Sequence, residues 1–70
     1  MTYDLSDAKK ILPCLSREWR SGYDVWNRVK RLGVFDKVHY SSIMRMLGLL
    51  KEAGVVECLF TPPSVRWRKK

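Results

Sequence analysis

Seventy residues, 46% of them hydrophobic, fit one globular domain near the lower size at which a core holds without staples, and exclude a disordered chain. Fourteen Lys and Arg against seven Asp and Glu leave a net charge of +7. In so small a chain that field favours a polyanionic partner, nucleic acid ahead of an anionic membrane surface.

No apolar run approaches the roughly 18–20 residues of a membrane-spanning helix, and no segment sets a basic face against a long lipid-seeking stripe. The start, "MTYDLSDAKK", has no basic region leading into an apolar one, so a cytoplasmic, nucleoid-associated location is expected. Cys14, Cys58 and the single histidine, His39, offer no zinc-ligand spacing, and a Cys14–Cys58 bridge stays open. One histidine without an acid or nucleophile partner, and no glycine-rich phosphate loop, leave nothing to build an enzyme site from. No cofactor and no small-molecule substrate are expected.

In chain order, Leu5, Ala8, Ile11, Leu12 and Leu15 recur at helical spacing and predict a first helix over Asp4–Leu15. Asp4 or Ser6 can cap it, and Pro13 predicts a kink or an early end. "SREWR" reads as a short polar connection. In "SGYDVWNRVKRLG", Ser21 and Asp24 have capping-box spacing, and Val25, Trp26, Val29 and Leu32 form the expected buried stripe of a second helix that Gly33 stops.

After the connector "VFDKVH", a third helix is predicted from Tyr40 to Ala53, ended by Gly54. Its apolar face holds Ile43, Met46, Leu47 and Leu50, while Ser41, Ser42, Arg45, Gly48 and Glu52 fall largely off it. The apolar half is needed for packing, and the polar, cationic start is free to touch something else. "VVECLF" and "SVRWRKK" then read as two strands joined by "TPPS", with Val65 and Trp67 inward and Arg66 and Arg68 toward solvent.

Helix, helix, helix, hairpin, with the last helix ending "L-x-x-L-x-x-x-G-V-V-E" at Leu47, Leu50, Gly54, Val55, Val56 and Glu57, resembles a winged helix-turn-helix domain. The opening "GYDVWNRV" is also similar to PadR-type and other small archaeal, bacterial or viral regulators. The resemblance covers residues 5 to 68 and implies a mainly α fold with a C-terminal β-hairpin wing, the whole chain forming one DNA-binding domain. It implies a third helix lying in the major groove of double-stranded DNA and a wing touching the adjacent backbone or minor groove. By position it puts His39, Tyr40, Ser41, Ser42 and Arg45 at the exposed start of the recognition helix, and Arg66 and Arg68 on the wing. Ser21, Gly22 and Tyr23 begin the second helix, whose amino end in such folds approaches a phosphate. Arg28, on the outer side of that helix, and Lys69 and Lys70, which follow the wing, complete the expected DNA-binding set.

Each of these residues has a plainer role beside the functional one. Arg45 can pair with guanine or be a solvated charge near Glu52 or Asp36. Ser41 and Ser42 can contact DNA or cap the helix, and Tyr40 can bond to the DNA backbone or pack as a staple. Trp19, Trp26 and Trp67 are most simply core. The expected function is sequence-specific DNA binding by a transcriptional regulator. Alternatives are a protein-docking winged helix using Met44, Leu49 and Leu59, and a sequence-tolerant architectural DNA binder. PadR- and MarR-type regulators dimerise through an extra helix that this sequence does not show. A homodimer is therefore expected to form through the first helix, with Leu5 and Ile11, or through the hairpin, with Leu59.

Overall fold

The computed structural model describes residues 3–62 and 64–70; Pro63, one of the two prolines expected in the hairpin turn, lies outside them. The predicted first helix is split in two. A short helix α1 (Leu5–Lys9) is followed by a separate 3-10 turn at Leu12–Cys14. Pro13 lacks an N–H and its ring would strike the carbonyl four residues back, so an α-helix cannot run through it. Asp4 caps α1 in a full capping box: its carboxylate accepts the Asp7 amide at 2.9 Å while Asp7 accepts the Asp4 amide at 3.2 Å. The Asp7 amide also holds the Asp4 carboxyl below the usual carboxylate range. Ala8, Ile11 and Leu15 are buried as the spacing predicts, Leu12 is only partly buried, and Leu5, at the free end of α1, is exposed; Cys14, outside the predicted stripe, is buried as well.

The expected polar connection ends in a strand instead. Arg20–Ser21 form a two-residue strand, β1, which pairs antiparallel with the last strand of the chain. Helix α2 (Gly22–Leu32) and helix α3 (Tyr40–Glu52) follow, then strands β2 (Val56–Thr61) and β3 (Ser64–Lys69). The sheet order is β1-β3-β2, with Arg20 opposite Trp67, Ser21 opposite Arg66, and the hairpin register running from Val56↔Lys69 to Thr61↔Ser64. Three helices followed by a hairpin that closes a small antiparallel sheet with β1 give the topology of a winged helix-turn-helix domain.

Two glycines set the corners. Gly33 (φ 67°) and Gly54 (φ 79°) adopt the left-handed conformation that side chains disfavour. Each closes a helix with the same pair of bonds. Gly33 N–H donates to the Lys30 carbonyl and Val34 N–H to that of Val29, while Gly54 N–H donates to Lys51 and Val55 N–H to Leu50. The second corner turns the chain directly from α3 into β2, so a residue at the start of α3 is anchored to the wing through only one rigid turn.

The core lies between the inner faces of α2 and α3, the first segment and the sheet. Ile11, Val25, Val29, Ile43, Met46, Leu47 and Leu50 have no exposed area, and Val56 and Trp67 nearly none. Leu32 departs from its predicted place: it is 63% exposed. It shares the helical-wheel position of Val25 but is the last residue of α2, so it overhangs the core and lines a surface hollow with Arg28 and Arg31. Cys14 and Cys58 are both free thiols, and burial pushes the Cys14 thiol up against the opposing pull of Arg28. No charged side chain is buried among the described residues, so the positive charge of the chain is carried at its surface.

Candidate nucleic-acid interface

The start of α2 is built by local polar chemistry. Ser21 Oγ accepts the Asp24 amide at 3.1 Å, which satisfies one of the orphan donors of a helix start. The reciprocal half of the expected capping box does not form. Instead the Asp24 carboxylate turns to Arg20, which donates to it at 2.9 Å and to Ser16 Oγ at 3.1 Å. An anion approaching this helix end therefore meets a carboxylate already neutralised by its own arginine.

Gly22 is buried where α2 and α3 meet. A Cβ there would stand 2.5 Å from Met44 Sδ and 3.3 Å from the Tyr40 hydroxyl, so the absence of a side chain lets the first turns of the two helices touch. Around this contact stands an aromatic trio. The rings of Tyr23 and Trp26 are 5.3 Å apart, those of Tyr23 and Tyr40 5.3 Å, and those of Trp26 and Tyr40 5.7 Å. Trp26 is fixed by its indole N–H, which donates to the Val38 carbonyl at 2.9 Å, and Lys30 sits over its ring at 3.9 Å. Tyr23 remains 59% exposed. Trp26, expected in the core, packs against it but is only partly buried, and the i, i+3, i+7 spacing of Tyr23, Trp26 and Lys30 sets the three along one side of α2.

On α3 the outer stripe opposite the core is Ser41, Arg45, Gly48 and Glu52, by their spacing of three and four. The N-cap is His39, whose side chain makes no capping bond, and the first turn contains no acid. Ser41 and Ser42 lie inside the helix and are not its cap. Arg45 is exposed and makes no ion pair among the described residues, with neither Asp36 nor Glu52. Tyr40 and Met44 occupy the flank toward α2. Met44 and Leu49 are half-covered, which leaves Leu59 as the exposed member of the apolar trio considered for protein docking.

The hairpin arginines and lysines divide into different situations. Arg66, opposite Ser21 across β1 and Leu59 across β2, is exposed, without a carboxylate among the described residues, and close to the α2 start. Arg68 shares its face of the sheet but is taken up internally. It donates to the Glu57 carboxylate from Nε at 3.0 Å and from Nη2 at 2.8 Å, and its guanidinium lies 4.3 Å from the Trp19 ring centroid. Lys69 and Lys70 stand at the base of the hairpin, where their amides donate to the Ser16 and Val55 carbonyls. There, with Arg17, they line a second hollow. Arg28 sits on the flank of α2 away from the aromatic trio, beside Arg31 and Leu32.

One surface therefore collects Ser21, Tyr23, Tyr40 and Arg66, with Ser41 and Arg45 on the adjoining outer stripe of α3. Arg28, Lys69 and Lys70 lie outside that group. No protein family, no curated protein and no solved structure matches the chain. Its likeness to winged helix-turn-helix domains is therefore one of topology alone.

Proposed function

We propose that the chain binds double-stranded DNA, with the first half of α3 in the major groove and the hairpin at Arg66 on the adjacent backbone. A small transcriptional regulator of the PadR or MarR kind is the role that suits such a module. The observation that carries this reading is the outer stripe of α3: an acid-free, exposed start bearing an arginine that nothing in the described chain neutralises. The exposed Tyr23, the Ser21 helix start and Arg66 flank it and supply backbone contacts that fix the register of the helix on the duplex. Basic side chains release condensed counterions, which gives affinity, while Arg45 reads a base edge, which gives discrimination.

Mobility-shift titrations of a random duplex and of the DNA upstream of the protein's own coding region, at two salt concentrations, test the proposal. Binding that weakens with salt and favours one sequence supports it; no shift of any duplex at low salt overturns it. The same titration separates the two hairpin arginines. Arg66→Ala is expected to reduce the log–log salt slope by about 0.9, the loss of one phosphate contact, on every sequence. Arg68→Ala leaves the slope unchanged and instead lowers the melting temperature, because it strands Glu57 and uncovers Trp19. The reverse pattern would assign the wing contact to Arg68.

Gly48 carries a further expectation for the same surface. It lies in the middle of α3, where glycine costs about 1 kcal/mol relative to alanine, yet a Cβ there meets no atom of the described residues within 4 Å. Packing among the described residues does not require it. One turn beyond Arg45 on the outer stripe, a missing side chain lets the helix backbone come close to the groove. Gly48→Ala is expected to raise thermal stability while weakening duplex binding severalfold. A variant that is more stable and binds equally well would remove Gly48 from the interface.

A further inference from the structure

We infer that two copies of this chain join edge to edge through β2, merging their three-stranded sheets into one continuous antiparallel sheet about a twofold axis. Strand β2 is an edge: among the described residues the order β1-β3-β2 leaves one side of Val56–Thr61 without a partner strand. Its outward N–H and C=O groups form a row of unpaired donors and acceptors. Natural proteins blunt such rows with lysines, prolines, bulges or very short strands. The opposite edge follows that rule, since β1 has two residues. β2 does not: it is six residues long and contains no Lys, Arg or Pro.

A second, independent feature lies on the same strand. Phe60 is 67% exposed and Leu59 37%. By alternation Phe60 continues the inner face of Cys58, and with its cross-strand partner Val65 it extends that apolar face past the end of the core. The run Cys58–Val65 is also the longest in the chain without a charged side chain. Two copies each carrying +7 repel at almost any surface, and here they meet without placing cations against each other.

The strand is also self-complementary. Antiparallel pairing centred on Leu59 sets Leu59 against itself, Phe60 of one copy opposite Cys58 of the other, and Thr61 opposite Glu57. The one charge involved, Glu57, keeps its own Arg68 at 2.8 Å and never faces its counterpart. A DNA groove would leave the backbone row unsatisfied and offer phosphates to a neutral segment. A second β2 satisfies both the backbone row and the apolar side chains. Of the two residues expected to carry a first-helix dimer, Ile11 is fully buried and Leu5 alone is exposed.

Sedimentation equilibrium of the full chain without nucleic acid, under reducing conditions and over a wide concentration range, tests the inference. The wild type is expected to show a monomer–dimer equilibrium. The double variant Leu59→Lys, Phe60→Lys, which puts natural edge protection on β2, is expected to raise the dimer dissociation constant at least tenfold with an unchanged circular dichroism spectrum. Amide hydrogen exchange on the wild type gives a reading that does not depend on the variant folding: protection of β2 amides rises with protein concentration while that of β1 does not. A wild type that stays monomeric, a double variant that dimerises as tightly, or β2 exchange indifferent to concentration each overturns the proposal. None of these outcomes bears on whether the monomer binds DNA.

Discussion

Leu50→Ala is expected to destabilise the fold by about 2–5 kcal/mol, because the substitution removes buried methyl groups and leaves a cavity that the core cannot fully close. Leu50 has no exposed area, and it is the last of the buried row Ile43, Met46, Leu47 and Leu50 on the inner face of α3. A 70-residue domain has only roughly 4–10 kcal/mol of stability in total, so the loss is a large fraction of it. The carbonyl of Leu50 also accepts the Val55 amide in the turn that leads to β2, so loosening this point loosens the seat of the wing. Leu32→Ala serves as the control. It too is a leucine in a predicted apolar stripe, but at 63% exposure its loss is expected to stay within about 0.5 kcal/mol. Urea denaturation of both variants measures the difference. A cost below about 1 kcal/mol for Leu50→Ala, or equal costs for the two, would contradict the core described for this chain.

That contrast shows what periodicity can and cannot convey. The spacing of Val25, Val29 and Leu32 is identical in kind to that of Ile43, Leu47 and Leu50, and it correctly marks one face of each helix. It carries no information about where along the helix the core ends. Leu32 fails because Gly33 turns the chain away one residue later, and Leu5 fails because it is the first residue of α1, at its free end. Glycine and proline were therefore better guides than hydrophobicity to the ends of elements. The strand β1 was illegible for a different reason. Arg20 and Ser21 have neither alternation nor strand propensity, and they pair only because β3 presents Trp67 and Arg66 to them.

The candidate surface was legible in part for the same reasons. The polar start of α3 can be read from which residues fall off the apolar face. That Arg68 is held by Glu57 and Trp19 cannot, since both partners lie far away in sequence and meet only through the hairpin and the sheet. In sequence Arg66, Arg68, Lys69 and Lys70 form one basic cluster. In the fold three residues of strand separate Arg66 from Lys69 by about 10 Å, enough to put them beside different elements. The aromatic trio likewise joins two residues of α2 to one of α3, a meeting that depends on Gly22 allowing the helices to touch.

Arg45→Ala is expected to weaken binding to the preferred duplex by about 1–3 kcal/mol, with random duplex much less affected. The expectation starts from what Arg45 does not do within the chain. It is exposed on the outer stripe of α3 and has no carboxylate partner among the described residues. Removing it therefore strands no internal group, and the change in folding stability is expected to stay within about 0.5 kcal/mol. Any large loss of affinity then belongs to the interface. Arg45→Lys refines the test, because lysine keeps the charge but not the planar fork that matches guanine O6 and N7. If Arg45 reads a base, the lysine variant holds its affinity for random duplex and loses preference for the best site, as the alanine variant does. If it only touches a phosphate, lysine restores binding to both duplexes and alanine weakens both alike. The second pattern would move sequence discrimination away from Arg45 and toward His39, Ser41 and Ser42, while leaving α3 as the element that meets the groove.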